Sequence, residues 1–427
     1  MLEAGDEVGG RVGTRERDGY RFDTGPSWYL MPEVFDHFFR LLGTSAAEQL
    51  DLRDLDPGYR VYGEGEPEPI DVVRGRAGNV AAFEAVEPGA GEALGRYLDS
   101  SADAYDVALD RFLYTTFQSF APLLSLDTLR RMPRLLRLLT GSLEKFAGEY
   151  VKDRRLRQIL GYPAVFLGSA PNDTPALYHL MSHLDLEDGV RYPMGGFSTI
   201  IDSIAGLAEQ EGVDVYTGAR VTRIRTEASG RSAQVTGVDV RAADGRVQSI
   251  EADIVVSAAD QHHTQHELIA DPALRDHGPR WWKKRDAGPG AVLFMVAVTG
   301  ALPELEHHTL FFTEDWDTNF SAIFGRHKRV PSPASVYVCR PSATDPGVAP
   351  AGHENLFVLV PVPADPTLGA VGADGTADAR VARLQDAVLE QIGGWAGIAD
   401  FEERVEFVET KTPADFCLLY TSDAADE

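Results

Sequence analysis

The most regular alternation of apolar and polar positions lies late in the chain. Runs at residues 291–298, 309–312, 335–339 and 356–360 are strand-sized, rich in Val and Phe, and bounded by Gly-Pro turns. They predict an antiparallel sheet. A helical period follows from 379 to 392, with Gly393 as its stop, and residues 406–409 read as one more strand. Earlier, residues 1–75 are turn-rich, with short strands at 20–22 and 59–62. From Leu94, positions Leu98, Tyr105, Leu109 and Phe112 recur at helical spacing, and residues 80–190 are predicted mainly helical. Phe197, Ile200, Ile201, Ile204 and Leu207 share one face of a helix that Gly212 would end. Short strands at 213–216, 221–224, 235–240 and 247–250 follow, and Ile254-Val255-Val256 reads as a short buried strand. The fold class is therefore α/β, with segments woven together along the chain.

Composition narrows the function. The 427 residues carry a formal charge of −26, which repels a polyphosphate and argues against nucleic acid. With two cysteines there is neither a disulfide framework nor a cysteine-rich metal site. No apolar run approaches the ~20 residues of a membrane span. The N-terminal MLEAGDEVGG lacks a signal peptide's basic and apolar regions, so a cytoplasmic location is the expectation.

Charge is unevenly spread. Residues 128–157 hold nine basic residues against three acidic ones, interleaved with leucines. That pattern reads as an interfacial helix pair meeting lipid headgroups, or as an ordinary surface helix with a buried leucine face.

Four elements carry the candidate chemistry. The strand end Met1-Leu2-Glu3 closes on an acid, as the first βαβ unit of a dinucleotide-binding fold does where its carboxylate takes ribose hydroxyls. Gly9, Gly10 and Arg11 follow: two glycines admit an anion to the backbone, and the arginine adds a forked positive charge. Alone, this triplet would read as a plain glycine turn. The second element, Tyr20 to Ser27, joins an aromatic strand to a Gly-Pro turn. The third, Tyr192 to Phe197, opens a helix at a glycine pair, suited either to a cofactor or to tight helix–sheet packing. The fourth is the stretch Ala252 to Asp260, a strand ending in small residues. His179, His183 and Asp185 read as structural, and no carboxylate cluster supports a metal at His262, His263 and His266. No catalytic acid or base stands out, and no metal is expected.

In this order, GGRVGTRERDGYRFDTGPSWYLMPEVFDHFF, RYPMGGFSTIIDSIAGLAEQEGVDVYTGARVTRI and SVYVCRPSATDPGVAPAGHENLFVLVPVP resemble the bacterial phytoene desaturase family. That family belongs to the FAD-dependent amine-oxidase-like flavoproteins. The likeness runs over residues 2–416. It implies a Rossmann-like FAD-binding domain interwoven with an α+β substrate domain that has an antiparallel sheet and a helical membrane-facing part. The implied layout is residues 1–75 and 191–262 for the FAD domain, 76–190 for the helical region, and 263–416 for the substrate domain. By the same resemblance Glu3 meets the adenosine ribose, Gly9, Gly10 and Arg11 the pyrophosphate, Gly25, Pro26 and Ser27 the flavin, and Val221 the adenine through its backbone. The implied reaction removes hydride and a proton from adjacent carbons of a long carotene such as phytoene, with FAD as cofactor and quinone or oxygen as final acceptor. Amine or porphyrinogen oxidation is the alternative within the superfamily, and a flavin-free piece the alternative outside it. The family's first strand with G-x-G-x-x-G is expected ahead of Met1 and its last flavin segment after Phe416, so the FAD domain reads as incomplete and 417–427 as a non-native tail.

Overall fold

The computed structural model describes residues 1–109, 113–115, 126–229, 232–242, 244–285, 287–370 and 378–421. Phe112 and part of the Leu-Arg-rich stretch, including the side chains of Arg130 and Arg131, lie outside the described residues.

The late alternation becomes a seven-stranded sheet in the order Val405–Lys411, Pro289–Thr299, His353–Pro363, Val336–Cys339, His308–Phe312, Tyr59–Gly63 and Ile70–Val72. Neighbours run antiparallel except His308–Phe312 beside Tyr59–Gly63, which is parallel. Register places Phe294 opposite Val358 and Val296 opposite Leu356. Because side chains alternate across a pleated sheet, Val292, Phe294, Val296 and Val298 all face one side, where they are fully buried. Helix Ala379–Ala396 covers that face with Leu384, Val388, Leu389 and Ile392. Burying one such side chain contributes about 1.5–3 kcal/mol. The helix runs beyond the predicted Gly393 and stops at Gly397, whose φ of +69° reverses the chain. Gly393 instead lies inside the helix, where a Cβ would come 3.1 Å from Phe401.

The opposite face of the same sheet divides into two patches. Met295 and Ala297 pack against Tyr20 and Phe22 of the hairpin Thr14–Arg17/Tyr20–Asp23. Leu293, Cys339 and Phe357, with Ala291, Tyr337 and Leu359 around them, form the second. This second patch becomes part of the site.

Helices Arg76–Val86 and Ala90–Ala108 fill the region expected to be helical, followed by Leu126–Thr140, Leu143–Gly148 and Arg154–Gly161. Leu94, Leu98 and Tyr105 are buried, as their spacing requires. Strands Ala219–Ser229, Ser232–Ala242 and Val247–Glu251 make an antiparallel meander. The expectation for Ile254-Val255-Val256 fails. Ile254 is 81% and Val256 87% exposed, and the segment is not a strand. A buried strand needs a hydrogen-bonded neighbour on its edge, and none pairs with it among the described residues. The 213–216 strand likewise reduces to an isolated parallel bridge between Tyr216 and Leu2.

Phe294→Ala is expected to destabilise the chain by about 3–5 kcal/mol in urea unfolding. Phe38→Ala, at a side chain 39% exposed, should stay within about 0.5 kcal/mol.

Candidate active site

The chain's first residues run alongside 214–219. The Glu3 N–H donates to Tyr216 O at 2.9 Å, and the Ala219 N–H donates to Glu3 O at 2.8 Å. Glu3 therefore lies beside the entry to the strand carrying Val221, whose backbone pairs with Val240. The Glu3 carboxylate accepts the Gly5 N–H at 2.7 Å, so the acid folds over the glycine turn that follows it.

That turn is shaped by glycine. Gly9 has φ +115° and Gly10 φ +55°. A Cβ on Gly9 would lie 2.7 Å from Val12 O and 3.3 Å from Ile201, so helix Ser198–Gln210 seats directly on it. A Cβ on Gly10 would meet nothing within 4 Å, which leaves its backbone open to a ligand. The Arg11 side chain is exposed and sits 3.7 Å from Asp260, joining the first sequence element to the fourth.

The second element packs onto the first. A Cβ on Gly25 would lie 2.0 Å from Arg11 O, so the two turns touch backbone to backbone. The Thr24 N–H donates to Gly13 O at 2.8 Å. Asp23 then clamps the third element: it accepts the Phe197 N–H at 2.9 Å, and Gly196 (φ +92°) must lack a side chain because a Cβ would stand 2.7 Å from that carboxylate. The Arg21 guanidinium donates to Ser198 Oγ at 2.6 Å, and Asp345 accepts the Gly195 N–H at 2.7 Å. Burial pushes the Asp23 carboxyl up to about 6, against the opposing Phe197 N–H and Arg21 charge.

Beyond exposed Pro26, Ser27 reaches the sheet. Its Oγ lies 2.6 Å from Tyr337 Oη, which lies 2.8 Å from His308 Nδ1. Trp28 stacks on His308 with centroids 4.5 Å apart and 12° between planes. The surrounding sheet face is mainly apolar, with Leu293, Phe357, Leu359 and Ala291, and the half-buried Lys411 stands beside Leu293 across the sheet. This is where a ligand entering past the Gly25–Ser27 turn would meet the sheet.

Thus Gly9, Arg11 and Gly25 share one contact region, Ser27 joins the sheet, and Glu3 with Val221 occupies the neighbouring strand edge. The residues present fit the ribose- and pyrophosphate-facing part of a dinucleotide site, since the open Gly10 backbone and the Arg11 charge offer donors where an anion needs them. Sequence reading missed Asp345, Tyr337 and His308, which sit far along the chain in strands and loops; the only local signal was two adjacent histidines ahead of an apolar strand.

The other polar residues singled out earlier have structural partners. His179 Nδ1 lies 2.8 Å from Ala176 O and its Nε2 lies 2.9 Å from Ser100 Oγ, and burial lowers its pKa. His183 pairs with Glu187 at 2.7 Å. Asp185 is buried between the hydroxyls of Tyr59 and Tyr162, and burial raises it to about 7. His262 stacks on His266 beside Trp282. A cavity of about 920 Å³ lies elsewhere, against Lys145, Arg157, Asp173 and Trp316. Its mixed charges suit a polar occupant.

Comparison with known proteins places the arrangement. The family described as flavin containing amine oxidoreductase matches residues 1–411. The chain is 36% identical over 424 residues to a carotenoid 3,4-desaturase of Haloarcula japonica, covering 99% of this chain and 81% of that protein. It is 31% identical over 368 residues to a phytoene desaturase of Fusarium fujikuroi, covering 85% of this chain and 61% of the relative's length. A solved putrescine oxidase bound to putrescine superposes with a TM-score of 0.54 at 15% identity, covering 96% of this chain and 78% of that one; this likeness concerns the fold.

Two substitutions test the clamp. Asp23 ionises near 3.8 in the unfolded chain and near 6 in the fold, so stability falls as pH rises between those values, by about 3 kcal/mol in all. Asp23→Asn keeps the acceptor oxygen and should lose that pH dependence in denaturation at pH 4 and 7.5. Gly25→Ala, forced against Arg11 O, should cost about 1–3 kcal/mol in the same measurement.

Proposed function

The chain belongs to the flavin-containing amine oxidoreductase family, and from that premise we propose that it desaturates a long-chain carotene precursor such as phytoene. It is an FAD-dependent oxidoreductase. The observation that carries the substrate class is the sheet face beside Ser27: Leu293, Phe357, Leu359 and Ala291 line it, a surface suited to a polyene that offers no charged handle. The relatives named as carotenoid desaturases support the same substrate. An amine would call for converging carboxylates there, whereas the side chain paired with Leu293 across the sheet is the half-buried Lys411.

FAD supplies the hydride acceptor when bound. Glu3 and the backbone of Val221 take its adenosine end, Gly9, Gly10 and Arg11 its pyrophosphate, and Gly25, Pro26 and Ser27 border the flavin. Asp23 and Asp345 fix the loops that present these groups. The apolar face orients the chain of the substrate and excludes water. Quinone or oxygen takes the electrons onward.

The lipid-soluble substrate further supports work at a membrane face from the cytoplasmic side, through residues 128–157. Among the described residues no helix is long and apolar enough to cross a membrane. Within the basic segment, Arg134 pairs with Asp103, Arg137 with Glu149 at 2.5 Å, and both Arg154 and Arg155 with Glu66. Its excess charge is thereby partly used inside the molecule. Leu136 and Leu139, 53% and 52% exposed, are therefore the groups proposed to enter the acyl boundary, with electrostatics secondary.

Two experiments check this reading. The chain supplied with FAD and phytoene in liposomes should yield more conjugated carotenes by absorbance-monitored chromatography, and should leave benzylamine unoxidised; the reverse result would replace the substrate class. In liposome flotation, Leu136→Ser with Leu139→Ser should lower the bound fraction several-fold at unchanged thermal stability. Equal binding would sink the membrane contact.

A further inference from the structure

His307 and His308 are adjacent, 3% and 0% exposed, and neither was assigned a role by sequence. Each holds one ring nitrogen against a hydroxyl. His308 Nδ1 lies 2.8 Å from Tyr337 Oη, and through it connects to Ser27 Oγ. His307 Nδ1 lies 2.8 Å from Thr344 Oγ1, in a half-buried loop after strand Val336–Cys339. The other ring nitrogen, Nε2, is buried in both residues without a hydrogen-bond partner. Leaving a buried polar atom unpaired is costly, so two side by side call for a shared occupant.

The two rings are close enough to share one, with centroids 4.6 Å apart. His307, His308 and Cys339 each bring a nitrogen or sulfur within 4.8 Å of the others. The site is polar on both sides of that gap, as a buried water requires. Its surroundings are aromatic, with Trp28 stacked on His308 and Tyr192 against His307 at 4.6 Å, and the charge of Arg340 also acts on His307.

We propose that Ser27, Tyr337, His308, one bridging water, His307 and Thr344 form a proton wire from the substrate face to the surface. The inference rests on the desaturase reading, which requires a proton to leave. Once hydride has left one carbon of the substrate, the C–H bond on its neighbour is strongly acidic. Its electron pair becomes the new C=C bond and its proton passes to Ser27 Oγ. Ser27 gives its own proton to Tyr337, Tyr337 to His308 Nδ1, and His308 releases one from Nε2 to the water. The water hands a proton to His307 Nε2, His307 gives one from Nδ1 to Thr344 Oγ1, and the half-buried Thr344 hydroxyl releases its own proton to bulk water. Each member gains and loses one proton, and no further reagent is consumed. Imidazole suits the two inner positions because it takes a proton at one nitrogen and gives one from the other. Burial pushes the pKa of His307 down to about 3 and that of His308 well below its ordinary value, so neither ring traps the proton as a lasting cation.

The test uses His308→Asn and His307→Asn, whose amides can keep the Nδ1-side hydrogen bond and cannot pass a proton. In the FAD-loaded chain each variant should lower kcat about 10²-fold or more, with KM within about twofold. His307→Asn with unchanged kcat overturns the wire, because His307 touches neither substrate nor Ser27. A second readout needs no turnover: in the ¹⁵N-histidine-labelled chain, His307→Asn should shift the His308 Nε2 resonance through the lost water. An unmoved resonance also overturns the wire. If the unsubstituted chain converts no carotene, the desaturase reading fails with its proton cargo, while the resonance still decides whether the two rings are coupled.

Discussion

Everything at the site depends on two backbones lying in contact. Gly25 stands where any side chain would occupy the position of Arg11 O, so the Gly9–Arg11 turn and the Gly25–Ser27 turn form one unit. Asp23, two residues before that contact, reaches the start of helix Ser198–Gln210 through the Phe197 N–H. Ser27, two residues after it, reaches the sheet through Tyr337. A single close approach thereby sets the distances among three separate stretches of chain. Its tolerance is small because each neighbour is backbone or a buried carboxylate, neither of which can swing aside as a surface side chain would.

The seven-stranded sheet performs two tasks with one pleat. Side chains at Val292, Phe294, Val296 and Val298 enter the core beneath helix Ala379–Ala396. The intervening Leu293 and Met295 turn to the other side and meet the hairpin and the candidate site. A one-residue slip in register would exchange the two sets. The length of the paired strands Pro289–Thr299 and His353–Pro363, eleven residues each, pins that register. Stability and substrate surface are therefore coupled through the same strands.

Charge illustrates why a linear count misleads. Residues 128–157 carry an excess of six positive charges in sequence, yet Asp103, Glu149 and Glu66 from elsewhere or later in the segment pair with four of its arginines. Partly exposed pairs of this kind contribute little to stability, but they redirect the guanidinium groups from solvent to the protein. Among the described residues of the segment, Lys145, Lys152 and Arg157 still face outward, together with the leucine pair at 136 and 139.

The sequence by itself determined the elements with strong local periods: the long strands, helix Ser198–Gln210 with Gly212 just past it, and the presence of short strands near 221–224, 235–240 and 247–250 after it, whose antiparallel pairing the structure supplied. It also located the glycines of both turns, because positive φ and close approach leave a local mark in residue type. It misjudged Ile254–Val256, since an apolar run says nothing about whether a neighbouring strand lies alongside. Only the tertiary structure decided which side chains meet those turns. Tyr337 lies 310 residues from Ser27, Asp345 lies 150 from Gly195, and His308 lies 29 from Tyr337, and no local pattern records such pairings. Their contacts follow from sheet order and register, which are fixed by the packing of distant segments and not by the preference of any one of them.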